Sequence, residues 1–422
     1  MAWRHGAGPA RSTAAPRAAA EGEDYLDARQ RGVPPTAART GGMETTMKRR
    51  AIAGMVAVLG LAGCGGSGQG DGATAAAGAG EATQLNVYNW SDYIAEDTVP
   101  GFERHSGVHV TYDVFDSNEV LEAKLLAGGS GYDVVVPSLS FLGRQIQAGV
   151  FLPLDKRKIP NLANLDPAMM QRIAQQDPGN SYAVPYLWGT TGIGYNVDKI
   201  QAAFGSTEVV DSWDLVFKPE NLARLKDCGV TFLDTASEIV PTVLHYLGED
   251  PNSTDPKVIE KAAAKLKEIR PYIQNFHSSQ YIDALAKGST CLVVGWSGDI
   301  LQARDRAEEA RNGVRIAYSI PKEGALQFFD MLAIPKDAKH PENAYQFINY
   351  LLTPEVAAAN TNFVSYPNAV PKSLPLIDAA ISGDRTLYPP AEVQAKLFAL
   401  AVMPPEVDRQ YTRLWTELKT GR

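Results

Sequence analysis

The chain has 422 residues, 45% hydrophobic and 21% charged, with 48 Asp/Glu against 40 Lys/Arg and a formal net charge of -8. This length exceeds one ordinary core and suits two lobes with additions, and the balance is that of a globular protein. The acidic excess argues against a nucleic-acid partner and is compatible with attraction of cations.

From the N-terminus, residues 1–46 are rich in Ala, Arg, Gly and Pro without a sustained apolar period, and read as a disordered upstream extension. Met47-Lys48-Arg49-Arg50, then an uncharged apolar run from Ala51 to Gly63, then Cys64, have the order of a signal peptide over 47–63. Met47 is therefore expected as the true start. Leu61-Ala62-Gly63-Cys64 resembles a bacterial lipobox, which implies cleavage before Cys64 and a lipid on it. Residues 1–63 hold nine Lys/Arg and five Asp/Glu, a net of +4, so the remainder carries -12. The Gly/Ala-rich stretch that follows makes 64–83 a lipidated Cys and flexible linker.

The body starts near Leu85. Leu85–Tyr88 and Val108–Val114 read as strands, and Asn118–Ala127 as a helix stopped by Gly128-Gly129. Tyr132–Pro137 carries a buried-strand run, and Phe141–Ala148 is helical. Val184–Asn196 is extended and glycine-rich, as a chain running between lobes would be. A helix at Val258–Ile269, a buried strand at Cys291–Trp296, strands at Val314–Ile320 and Phe328–Ile334, and an amphipathic helix at Glu342–Leu352 complete the outline. Strands alternating with helices predict an α/β fold with a largely parallel sheet. With Cys64 lipidated, Cys228 and Cys291 remain; an oxidising compartment allows them a disulfide, and two separate buried thiols are the alternative.

Acids next to aromatics recur at the ends of these elements. They are Trp90-Ser91-Asp92-Tyr93, Trp296-Ser297-Gly298-Asp299, Phe328-Phe329-Asp330, Tyr366 in a Pro-marked loop, and Glu238 after Asp234–Ser237. Singly, such an aromatic is packing, and Asp299 or Asp92 is a helix cap. Asp330 inside an apolar strand is the sharpest anomaly, because a buried Asp demands a partner. Together they suit a linear dication: carboxylates for the ammonium groups, ring faces for the methylenes and for the charge. An enzyme is disfavoured, since no nucleophile elbow, phosphate loop or metal-ligand spacing occurs. His105, His109, His245, His277 and His340 show no metal-like spacing. Catalytic residues, metal and cofactor are expected to be none. A sugar site would need more neutral polar groups, and an amino-acid site an Arg, which these clusters lack.

Asn89–Ile94, Tyr112–Glu119, Asp133–Ser138, Thr191–Asn196, Asp211–Asp214, Phe276–Tyr281, Ile320–Ala325 and Tyr388–Pro390 resemble, in order, the periplasmic putrescine-binding proteins of polyamine ABC importers, over about Leu85 to Arg422. The resemblance implies a two-lobed periplasmic-binding-protein fold of type II, with a hinge and an interlobe cleft. Lobe 1 is expected over 84–187 and 323–353, and lobe 2 over 188–322 and 354–422. It places Trp90, Ser91, Tyr93, Ser138, Glu238, Trp296, Asp299, Phe328, Asp330 and Tyr366 at binding positions, with Asp92 beside the first loop and Ser140 near Ser138. It also favours a Cys228–Cys291 disulfide. The expected function is capture of putrescine, with spermidine as a second ligand, and delivery to a permease in the inner membrane. A binding protein of this fold for another solute, or a polyamine sensor, is the alternative. A periplasmic monomer tethered through Cys64 follows. Ala236-Ser237 departs from the acidic or different pair that many members carry before the counterpart of Glu238, a region that bears on diamine against triamine preference.

Overall fold

The computed structural model describes residues 81–421; the 1–46 extension, the 47–63 signal peptide, Cys64 and the linker as far as residue 80 lie outside them. Strand β1 (Gln84–Trp90) lies between β2 (His109–Phe115) and the short β3 (Val134–Val135), parallel to both. The intervening Asn118–Ala127 helix has the bounds the sequence predicts: the Ser117 side chain accepts the Val120 N–H at its start, and Gly128, at φ 71°, ends it. Lys156–Lys158 and Pro160–Asn164 are 3-10 turns on the way to β4.

β4 (Ala183–Asn196) is fourteen residues long, and all but Trp188 are buried. At its far end the sheet turns parallel again. There β5 (Val230–Phe232) lies between β6 (Asn275–Phe276) and β7 (Leu292–Trp296). β8 (Ile316–Ser319) and β9 (Leu326–Ala333) both run antiparallel to β4, β8 along its C-terminal part and β9 along the rest. They form one return crossing broken at 320–325. The nine strands make one sheet of order β2-β1-β3-β9-β4-β7-β5-β6, with β8 beside β4.

The expectation of a largely parallel sheet therefore needs correction. Parallel pairing holds at the two ends, where a helix carries the chain back, and fails in the middle, where β4 and β9 cross from one end to the other in opposite senses. The register Val230↔Leu292 brings the starts of β5 and β7 together, and just ahead of them Cys228 and Cys291 form a disulfide with Cα atoms 5.5 Å apart. Among the described residues no helix is long and apolar enough to cross a membrane.

Candidate ligand-binding site

Side chains from the carboxyl ends of parallel strands at both ends of the sheet converge on one cavity, the place where open α/β sheets hold ligands. Trp90, Ser91 and Tyr93 follow β1, and Ser138 follows β3. Glu238 lies in the first turn of the Ala236–Tyr246 helix behind β5. Trp296 ends β7, and Asp299 sits in the first turn of the Ser297–Glu309 helix. β9 supplies Phe328 and Asp330 on one face, since side chains two apart share a face, while Phe329 points into a separate groove. Tyr366 closes the ring from the loop after the Pro354–Val364 helix.

Each carboxylate is buried and held by neutral donors. Asp330 accepts from Ser138 Oγ at 2.6 Å and Tyr93 OH at 2.7 Å. Asn118 grips Ser138 twice, at 3.0 Å through both its amide nitrogen and its oxygen. Asp299 accepts from Tyr366 OH at 2.6 Å and Tyr281 OH at 2.7 Å. Both phenols also accept a backbone N–H, from Asp299 and Trp296 respectively, so each is pinned between main chain and carboxylate. Glu238 takes Thr191 Oγ1 at 2.7 Å and Trp296 Nε1 at 3.0 Å, both on Oε2. A carboxylate offers about four acceptor directions, so two donors on each leave room for an ammonium.

No Lys, Arg or His is among the residues lining this cavity. Burial without a cation penalises the charged form. It pushes Glu238 up to about 7, Asp299 up to about 7 and Asp330 up to about 6, against the pull of the donors just named. The walls are rings set edge to face. Trp90 and Trp296 have centroids 5.5 Å apart, Trp296 and Phe328 6.5 Å, Phe328 and Tyr366 6.2 Å, and Tyr366 and Tyr93 4.8 Å. Gly298 is what lets Tyr366 approach: a Cβ there would sit 2.4 Å from its ring.

Asp92 does not join the other candidates. It occupies the left-handed region at φ 53°, which turns its carboxylate outward to Arg306 Nη2 at 2.7 Å. There it lines a wider hollow beyond Trp90 and Tyr93, with Glu96, Asp305 and Glu309. Asp299 is not a helix cap either, since its helix begins two residues earlier and its oxygens face the two phenols. Ser140 borders a hollow on the other side of the cavity, which shares Ser138, Glu238 and Phe328 with it. Ser237 also lines that hollow and donates to Glu119 Oε1 at 2.9 Å. Sequence reasoning did not single out Tyr281, Thr191 and Asn118, although each lies inside a stretch that carried the family resemblance.

Residues 99–387 match the model of the bacterial extracellular solute-binding protein family. The chain is 55% identical over 343 residues to the putrescine-binding periplasmic protein PotF of Escherichia coli, covering 81% of this chain and 93% of that protein. It is also 55% identical over 338 residues to the putrescine-binding periplasmic protein SpuD of Pseudomonas aeruginosa, covering 80% and 92%. Among solved structures, a putative spermidine/putrescine ABC transporter from Listeria monocytogenes superposes with a TM-score of 0.72 at 32% identity, covering 81% of this chain and all of that one.

Proposed function

This chain belongs to the bacterial extracellular solute-binding proteins, and from that membership and the cavity together we propose that it captures putrescine for a polyamine ABC importer. The observation that carries the reading is chemical: three buried carboxylates and a chain of rings line one space that holds no cationic side chain. A four-carbon diamine brings two positive charges to three acids whose ionisation is balanced between about 6 and 7. One acid can keep a proton while two ionise, so the filled cavity need hold no net charge. Asp330 serves one amine, Asp299 and Glu238 the other, and Trp90, Trp296, Phe328, Tyr93 and Tyr366 hold the methylenes. Ser91 borders the cavity as a further oxygen.

Glu238, Asp299 and Asp330 are 8%, 4% and 3% exposed, so a ligand can reach them only if the walls part. Lobe 1, over 84–187 and 323–353, and lobe 2, over 188–322 and 354–422, separate about the crossing of β4 and β9. A diamine contacts both lobes only in the closed form and so shifts the balance toward it. The closed form is what the permease recognises. The protein works in the periplasm, tethered through Cys64 to the envelope. Calorimetric titration with putrescine, cadaverine, agmatine and spermidine tests this reading. One putrescine per chain, bound tightest of the four, is expected, and absence of heat with every amine would overturn it.

Gly298→Ala tests the geometry without touching a charge. The new methyl group pushes Tyr366 off Asp299, and a hydrogen bond to a carboxylate is worth about 1.5–3 kcal/mol. Putrescine affinity should fall by about tenfold or more in the same calorimetric assay, with the far-UV circular dichroism unchanged. Wild-type affinity would show that Tyr366 does not position Asp299.

A further inference from the structure

Arg144, on the Leu139–Gln147 helix, is held by one acid and reaches for another. Its Nε and Nη2 donate to Glu122 at 2.6 and 2.5 Å, and its Nη1 lies 3.1 Å from Asp408 Oδ1 on the Pro405–Thr420 helix. The guanidinium stacks 4.1 Å from the Phe141 ring centroid, and Phe141 lines the hollow that adjoins the amine cavity. The Arg144 side chain is 15% exposed and that of Asp408 31%, so this ion pair is partly shielded from solvent.

The two acids come from different ends of the molecule. Glu122 belongs to the β1–β3 end, whereas the helix carrying Asp408 packs on the Ala236–Tyr246 and Pro256–Ile269 helices of the other. Neighbouring contacts follow the same seam. Asn252 holds the 399–401 segment through Ala399 and Ala401, while Gln176, from the opposite side, donates to Leu400 O at 2.9 Å. A Cβ at Gly143 would lie 2.4 Å from Val402 Cγ2, so the seam closes only because that position is glycine. Ser237 reaches Glu119 across the same line.

We infer that Arg144 and Asp408 are positioning residues for ligand capture, latching the cavity shut on the side away from the Asp92–Arg306 pair and so setting how long a bound amine is retained. The inference rests on the two-lobed, amine-capturing reading above. Glu122 orients the guanidinium with two parallel hydrogen bonds, which leaves its remaining edge preset for Asp408. Losing Asp408 costs the closed form this contact and leaves the chemistry of the amine site unchanged.

Stopped-flow tryptophan fluorescence of the full chain with putrescine, using Trp90 and Trp296 as reporters, tests the latch. In Asp408→Asn the amine should leave about three- to tenfold faster, with association within about twofold of wild type. Gly143→Leu, a wedge in the same seam, should also speed release, while thermal unfolding of the ligand-free chain stays unchanged or rises, since glycine is a poor helix former. X-ray scattering of the putrescine-loaded variants should report a larger radius of gyration than wild type. Wild-type release rates in both variants would overturn the latch alone. A wild-type chain that binds none of the amines would overturn the functional reading and the latch with it.

Discussion

Asp330→Asn should weaken putrescine binding by about 2–5 kcal/mol, the range for removing one partner of a buried charge pair, and should leave the ligand-free protein no less stable. Asp330 sits on β9 with 3% of its surface exposed and only the hydroxyls of Ser138 and Tyr93 for company. Burial raises its carboxyl from the ordinary value to about 6. A carboxyl raised in this way contributes stability that is fully present below about pH 4 and is lost as the pH passes through about 6, because the folded chain resists ionising it. Asn resembles the protonated acid in shape and charge. The variant should therefore melt at about the wild-type temperature at pH 4 and above it at pH 8, a difference on the order of 1–3 kcal/mol. Added putrescine should reverse the order at pH 8, because only the wild type gains from it. Calorimetry and thermal unfolding at the two pH values read both halves. Unchanged affinity would remove Asp330 from the site, and a variant less stable at pH 8 would mean that its charge has a partner in the ligand-free fold.

Putrescine affinity should fall steeply as the pH drops from 8 to 5, by on the order of a hundredfold or more, and binding should release protons near neutrality. Glu238 and Asp299 stand near 7 and Asp330 near 6 in the ligand-free cavity, with burial the first cause for each. A diamine favours ionisation of two of the three acids, so below neutrality protons leave as it enters. The three acids share one space, and the steps belong to the group rather than to single residues. Titrations at pH 6.5 in buffers of different ionisation enthalpy should give heats that extrapolate to proton release. The release should diminish by pH 8.5. An affinity flat from pH 5 to 8 would mean that the carboxylates are ionised before the ligand arrives.

Most of the site was legible because the requirement is local. An acid beside a ring at a strand end reads as a pair whatever the fold; with Ser138, which only the family resemblance supplied, ten of the eleven candidates line one cavity. Asp92 was misplaced because its direction depends on a left-handed backbone turn and on an arginine 214 positions away. The phenols of Tyr281 and Tyr366 illustrate the opposite difficulty: their hold on Asp299 spans elements that are adjacent only after folding. Among the elements, the helix at Asn118–Ala127 was exact because its cap and its glycine stop are both in the sequence. The Ala236–Tyr246 helix carries Pro241 in its interior, and β5 and β6 are three and two residues long, too short for a period to show. Antiparallel pairing of β4 with β9 is a property of topology and leaves no trace in either strand.

If the two lobes part about the crossing to which β9 belongs, as proposed above, the carboxylate that β9 carries would stay near the pivot while Trp296, Asp299 and Glu238 travel. One amine can then stay moored at the pivot after the other has been let go. Unloading would proceed by unzipping from the far end, and the importer would receive the guest by its free terminus.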